Sequence, residues 1–306
     1  MVNIVKLYNV NVGINEQEPI IKSQIIFSAI LKALPEKADL LINDKNFTVS
    51  SMFPFSTIDC SEKKYVPIVS ARILKDFNKK KFKKVNLIDS EILTDKEKLE
   101  RINEEDIEKI TFDKENFKYK QTHNRVPRNN NEETKLYFSF RLKTTNDSGL
   151  WFAYTKEYRK EIEKALNEIK VYGLGRDKST SAEPFETFEF DEIKDSGDWF
   201  INLGLYSPTK NELESFLQKS NTENKKPKYE LENYSGWTEV IEKNKIINKE
   251  KPAKYYYKEG SIFPSLEKQV YGRREKYNKI NSTNLNTKIF WNGITIPFYF
   301  NWQGEQ

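Results

Sequence analysis

Two amphipathic segments, far apart in a chain otherwise written in strand-like sequence, limit the fold more than any other feature. In "TKEYRKEIEKALNEIK", Tyr158, Ile162, Ala165, Leu166 and Ile169 share one helical face and charges occupy the rest. In "EQEPIIKSQIIFSAILKALPE", Ile26, Phe27, Ala29, Ile30, Leu31 and Leu34 keep the same period. Ser23 stands where a cap belongs, and Pro35 stops the run. A helix with one apolar stripe must bury it against another layer. Alternating segments supply that layer: "NIVKLYNVNVG", ending in a turn at Gly13, precedes the first helix, and "FETFEFDEI" follows the second. Between the helices, residues 36–150 hold short strands, charged loops and one acidic helical stretch near "LTDKEKLERIN". Within them "FKYKQTHNRVPRNNNEETKLYFSFRLK" reads as a long hairpin, turning around Asn129 to Asn131 and returning through "LYFSFRL".

The order β-α, an elaborated β middle, then α-β suits a ferredoxin-like β-α-β-β-α-β unit with insertions. After "KDSGD" the pattern restarts with "WFINLGLY" and then "SPTKNELESFLQKS", a capped helix with Pro208 in its first turn. A polar, Lys-rich loop to Lys228 leads to strand-like "GWTEVI", "AKYYYK", "IFWNGITI" and "FYFNW". The expected architecture is α+β, with two ferredoxin-like (RRM-like) domains. One spans residues 1–192, with the hairpin inserted at about 116–142, and the other spans 193–306. A chain of 306 residues is long enough for each half to bury a core.

Composition removes whole classes of chemistry. With one histidine, His123, and one cysteine, Cys60, one chain can assemble neither a His/Cys zinc cluster nor an internal disulfide. HExxH, GxSxG and CxxC are absent. Catalysis would have to run on His123 or on Asp, Glu, Lys and Tyr. No apolar run approaches the ~20 residues of a membrane span. "MVNIVKLYNVNV" lacks the charged head and apolar block of a signal peptide, so a cytoplasmic protein with no membrane partner is expected. The charge is +5, from 51 basic and 46 acidic residues, so a local basic patch matters more than the total. The densest, "NKKKFKKVN", reads either as a solvated loop or as an RNA- or partner-facing surface. Tyr255-Tyr256-Tyr257 reads as an alternating strand with one face in the core, and Trp237 and Trp291 as packing residues.

"VYGLGRDKST", after the second helix, looks like a phosphate cradle. A mononucleotide P-loop needs GxxxxGK[ST] between a strand and a helix. Aligned on Lys178-Ser179, Asp177 and Tyr172 fall where its glycines belong, and the preceding element is a helix. The dinucleotide fingerprint fails too, because Lys178 takes the third glycine position. Two readings remain. One is a backbone cradle for phosphates helped by Arg176, Lys178, Ser179 and Thr180; the other is a plain turn capped by Gly173.

Several stretches taken in order change that balance. "NVNVG…IKSQIIFSAILKAL", "SMFPF" with "YVPIV", "HNRVPRNNNEETKLYFSF", "YGLGRDKST", "LGLYSPT" and "YKEGSIF" together resemble the RAMP superfamily of CRISPR RNA-binding proteins. Within it they look like the subunit-four family of Csm complexes from type III-A CRISPR–Cas systems. The resemblance implies a non-catalytic subunit that holds the repeat-derived 5′ tag of the guide RNA (crRNA) and needs no cofactor or metal. It also implies docking to the large polymerase-like Csm subunit and a neighbouring backbone RAMP subunit. RNA contact then falls on Gly13, Ser23 and Gln24, and on Tyr172, Gly173, Gly175, Arg176, Lys178 and Ser179 of the glycine stretch. The hairpin resembles the family's thumb, which wedges between guide and target RNA. There His123, Asn124, Arg125 and Arg128 are implied to touch RNA, and Val126 or Pro127 to press on a base. "EGSIFP", Glu259 to Pro264, would be the second half's counterpart of the glycine stretch.

Two departures bear on chemistry. The family's first helix commonly begins Ser-Asp, whereas this one begins Ser23-Gln24, and a carboxamide cannot replace a carboxylate on a catalytic metal. Thr180 to Ala182 also stand where further glycines are usual. The competing reading is a metal-independent endoribonuclease that processes CRISPR transcripts, with His123 as general acid or base beside Lys120, Arg125 or Tyr137. For the glycine stretch, Arg176→Glu with Lys178→Glu should weaken RNA binding and flatten its salt dependence, since fewer counterions are released. Unchanged affinity and salt slope in filter binding would remove this stretch from the site.

Overall fold

The computed structural model describes residues 1–306 apart from 15–19, 59–60, 72–73, 75–84, 104, 113–116, 126–134, 146, 175–183, 243–244, 278–288 and 303–306. The chain opens with β1 (Val2–Tyr8), β2 (Asn11–Ile14), α1 (Ser23–Ala33) and α2 (Ala38–Asn43). Strands β3 (Phe53–Ile58), β4 (Ser61–Pro67) and β5 (Leu87–Asp89) lead to α3 (Ser90–Thr94), α4 (Lys96–Arg101) and α5 (Ile107–Ile110). The hairpin β6 (Lys118–Arg125) and β7 (Lys135–Lys143) precedes β8 (Ser148–Ala153), α6 (Arg159–Tyr172) and β9 (Thr187–Ile193). The second half runs β10 (Trp199–Asn202), α7 (Lys210–Glu223), β11 (Leu231–Glu242), β12 (Lys245–Tyr257) and β13 (Ile262–Pro264). It closes with β14 (Tyr271–Tyr277), β15 (Ile289–Thr295) and β16 (Pro297–Phe300).

The fold is α+β, with antiparallel sheets. The main sheet has the order β5-β4-β3-β8-β1-β9. The chain passes from β1 to β3 through α1 and from β8 to β9 through α6, so each helical connection crosses one intervening strand. Strands β1 and β8 decide the layering. Val5, Leu7, Leu150 and Phe152 pack against Ile26 and Ile30 of α1 and Ile162 and Leu166 of α6. On the other face, Ile4, Trp151 and Ala153 pack against Trp199, Ile201, Phe298 and Phe300. Those four belong to the sheet β13-β10-β16, whose far face sets Phe200 and Phe263 against Phe216 of α7. A strand that is apolar on both faces needs two covering layers. Here helices cover one face and a second sheet the other, so the halves share an apolar cluster across the expected boundary at residues 192–193.

Several local expectations shift. Lys22, not Ser23, is the cap position of α1, and Ser23 is the first helical residue. The Ser23 N–H is satisfied instead by Ser51 Oγ at 2.8 Å. Pro208 precedes α7, which is capped by Thr209 in a reciprocal box with Glu212. "GWTEVI" and "AKYYYK" belong to one long hairpin, β11–β12, with a register shift between Tyr234 and Gly236. Tyr256 and Trp291 are buried as expected, while Tyr255 is exposed. The expected turn at Asn129 to Asn131 and residues 78–84 of "NKKKFKKVN" lie outside the described residues.

"EGSIFP" stitches the halves together. The buried Glu259 carboxylate accepts from Lys22 Nζ at 3.0 Å and from Ser51 Oγ at 2.5 Å, and Lys22 also meets Glu232 at 2.7 Å. Gly260 has a φ of 90°, and a Cβ there would stand 2.7 Å from the Ile68 backbone. Burial alone would raise the Glu259 carboxyl, but the Lys22 charge and the hydrogen bonds from Ser51 and Lys22 hold it below 4.5. The carboxylate therefore adds stability above about pH 4.5, and that stability is lost as pH falls through its lower folded value. Glu259→Gln should cost about 1–3 kcal/mol at pH 7, because it takes one of two carboxylates from the buried Lys22 amine and leaves Glu232 as its anion. In urea titrations the gap between wild type and variant should narrow below about pH 4.5; a gap independent of pH would overturn the assignment.

Candidate nucleic-acid interface

Helix α6 ends at a backbone conformation that suits glycine. Gly173 has a φ of 83°, and its N–H closes the helix onto the Ile169 carbonyl at 2.8 Å. This exit forms part of the rim of a cleft of about 780 Å³ between the halves. Helix α1 supplies one wall through Gln24, Ile25, Ser28, Ala29 and Lys32, and the end of α6 a second through Ile169, Tyr172, Gly173 and Leu174. The base of the β11–β12 hairpin supplies the third through Tyr234, Gly236 and Lys251. Small side chains at Ser28 and Ala29 leave room on the helical wall. The register shift at Gly236 adds a local bend to the hairpin base.

Tyr172 is 69% exposed at the mouth, an aromatic face open to a base. Lys251 lies with its amine 5.2 Å from the centre of the Trp291 ring, and burial together with the Lys32 charge pulls its ammonium below the ordinary lysine value. No Asp or Glu is among the described residues lining the cleft. The described residues also contain no group of three or more His, Cys, Asp or Glu placed to hold a metal. No described helix is long and apolar enough to cross a membrane.

The residues singled out in the sequence do not all reach this cleft. Tyr172 and Gly173 form its rim, and Gln24 lines it. The Gln24 carboxamide is engaged, however: Nε2 donates to the Asn292 carbonyl and Oε1 accepts from the Asn292 N–H at 3.3 Å. Ser23 is wholly buried, and its Oγ accepts from the Leu205 N–H at 3.3 Å. That oxygen holds the second half onto α1. Gly13 is buried in β2, opposite Arg141 of β7. His123, Asn124 and Arg125 are backbone-paired in β6 with Tyr137, Leu136 and Lys135. Their side chains lie outside the described residues, as do Arg128, Gly175, Arg176, Lys178 and Ser179. The chain is next described at Pro184, whose carbonyl accepts from the Asn11 N–H at 2.9 Å, beside β2.

Sequence reasoning missed Lys32, Tyr234, Gly236 and Lys251. Their only sequence signal is a cation and a glycine interrupting strand-like or helical runs, and nothing local shows that these runs converge. Gln24→Glu tests the polar contact on the α1 wall. It replaces a donor with an oxygen facing the Asn292 carbonyl, and should lower stability by about 1–3 kcal/mol at pH 7 without unfolding the chain. An unchanged denaturation midpoint would show that this contact carries no stability.

No protein-family model and no curated protein matches the chain. Solved structures do match its fold along nearly its whole length. A chain of the crystal structure of the Csm3–Csm4 subcomplex in the type III-A CRISPR-Cas interference complex superposes with a TM-score of 0.58 at 18% identity, covering 98% of this chain and 99% of the other. A chain of the Csm1–Csm4 cassette in complex with cA4 superposes with a TM-score of 0.57 at 16% identity, covering 99% of each.

Proposed function

We propose that this chain is the subunit-four member of a type III-A CRISPR effector complex, holding the repeat-derived 5′ tag of the crRNA. The observation that carries this reading is the cleft between the halves. There the start of α1, the exit into the glycine stretch and a cation-bearing hairpin converge beside an exposed tyrosine. Such a surface grips a splayed single strand through phosphate contacts and base stacking rather than by reading a duplex groove. Tyr172 stacks on a base, while Gly173, Gly175, Arg176, Lys178 and Ser179 follow the backbone. Gly13 of β2 adds a further RNA contact.

The likeness of fold to chains of Csm complexes supports the placement in an effector. The order β3-β8-β1-β9, with helical connections that each cross one strand, supports a ferredoxin-like first domain. The second domain, from residue 193, keeps the strand-helix start, flanks β10 with β13 and β16, and adds two hairpins. The β6–β7 hairpin serves as the thumb, with His123, Asn124, Arg125 and Arg128 toward guide and target RNA. The exposed Phe138 on it carries Lys120 Nζ 3.6 Å above its ring. Docking to the large polymerase-like subunit and a backbone RAMP subunit completes the role. Gln24, tied to the Asn292 backbone, supports a non-catalytic subunit.

Sequencing the RNA that copurifies with this chain, expressed with its neighbouring genes and a CRISPR array, tests the reading. A uniform 5′ end carrying repeat sequence is expected, with its yield reduced in Tyr172→Ala. Random or absent RNA in a complex that does assemble would overturn it.

A further inference from the structure

Resting on the RNA reading of the cleft, we infer that Lys251 of β12 is the contact of the second half to the RNA backbone, its ammonium meeting one phosphate group. Lys251 is half-buried and lines the cleft beside Tyr234 and Gly236. It makes no hydrogen bond or ion pair with any described residue, and its described contact is the ring of Trp291, 5.2 Å from the amine. Trp291 is itself buried, so the support behind the amine is fixed. Carboxylates on adjoining strands are engaged elsewhere. Glu232 of β11 holds Lys22, and Glu275, which pairs with Trp291 across β14–β15, holds Lys254 and Arg273. Glu250 precedes Lys251 in an extended strand, where successive side chains point to opposite faces.

An ammonium taken partly out of water without an anion costs free energy. The aromatic face recovers part of that cost through the ring quadrupole, but it offers no lone pair. The three rotatable N–H donors of the amine therefore remain open to an anion that enters the cleft. Burial pulls the Lys251 ammonium below the ordinary lysine value, and the described charge acting on it, Lys32, has the same sign. A phosphate oxygen at Lys251 supplies the opposite charge and the missing acceptor together. A lysine acts as a point charge and reads no base, so this contact positions the strand and leaves base preference to the aromatic groups. Tyr172 belongs to the first half and Lys251 to the second, so a strand that meets both spans the junction.

The test uses the full chain and two labelled single strands, oligouridylate and oligoadenylate. Lys251→Met keeps the apolar stem over Trp291 and removes the charge. It should weaken both probes by the same factor, roughly tenfold, the worth of one charge-assisted hydrogen bond. It should also lower the salt slope by about 0.7, the single-strand value for one phosphate contact. Lys251→Arg, which keeps the cation, should restore most of the affinity. The denaturation midpoint of Lys251→Met should stay level or rise, because the ammonium it removes has no anion in the free chain. A lower midpoint with unchanged RNA binding would mark a structural lysine and overturn the inference. Acetylation with an N-hydroxysuccinimide ester, read by mass spectrometry, gives an independent readout. Lys251 should react in the free chain and be protected by bound RNA, while Lys210 on exposed α7 reacts equally in both. Equal reaction of Lys251 in free and RNA-saturated chain would overturn the contact. If wild type binds RNA and Lys251→Met matches it in affinity and slope, the inference fails and the RNA reading stands. If wild type binds neither probe, both fail together.

Discussion

The buried pair between Lys22 and Glu259 is the point on which the arrangement of the two halves turns. It sits one residue before helix α1, and its carboxylate comes from the tight stretch after β12 that packs against the Ile68 backbone. Ser51 serves both sides, donating its hydroxyl to Glu259 and accepting the first helical N–H from Ser23. A charge this deep is tolerated because its hydrogen bonds are made, and removing one partner takes a buried contact from the other. The start of α1 is thus fixed by the second half of the chain. Everything α1 presents to the cleft is positioned through that node.

A polar seam extends the node along the junction. Gln24 exchanges two hydrogen bonds with the Asn292 backbone, and Thr48 Oγ1 donates to the Ile294 carbonyl at 2.9 Å. Arg274, from β14, donates to the carbonyls of Leu41, Ile42, Asp44 and Phe47, which include the last turn of α2. A cation is favoured at a helix C-terminus, and here it comes from the opposite half. The apolar cluster shared by the two sheets holds them together without direction, whereas the seam specifies their register. Together they make the cleft walls a single scaffold.

That scaffold suits the RNA-binding surface proposed for the junction. A flexible strand loses affinity if its binding groups must first be ordered, so rigid walls that already face one another are an advantage. Glu232, Glu259 and Glu275 are paired with lysines or arginine, and the described lining of the cleft carries lysines and tyrosines. The division of labour is physical: buried ion pairs and hydrogen bonds lock the halves, and the described lining of the cleft carries lysines and tyrosines.

Much of this was legible in the residues. The apolar period of Ile162, Ala165, Leu166 and Ile169 requires a helix, and the alternation of Val2 to Tyr8 requires a strand. The β6–β7 pairing follows from its basic and aromatic arms, and Gly173 ends α6 as its position demanded. Local sequence decides these because each depends on contacts within a few residues. It could not show that both faces of β1 and β8 would be covered, or by which layers, since an apolar strand residue carries no address. Nor could it show that Ser23, placed like a cap, would give its N–H to Ser51 and its oxygen to Leu205. Lys32 and Lys251 lie far apart in the chain and line one cleft only because the halves bring hairpin and helix together. The sequence by itself determined the long amphipathic helices, the strands that flank them and which chemistry is excluded, while α2, α3 and α5 carried no readable local signal. Only the tertiary structure decided which of their side chains are locked inside and which are left facing the cleft, because that depends on long-range partners no local pattern encodes.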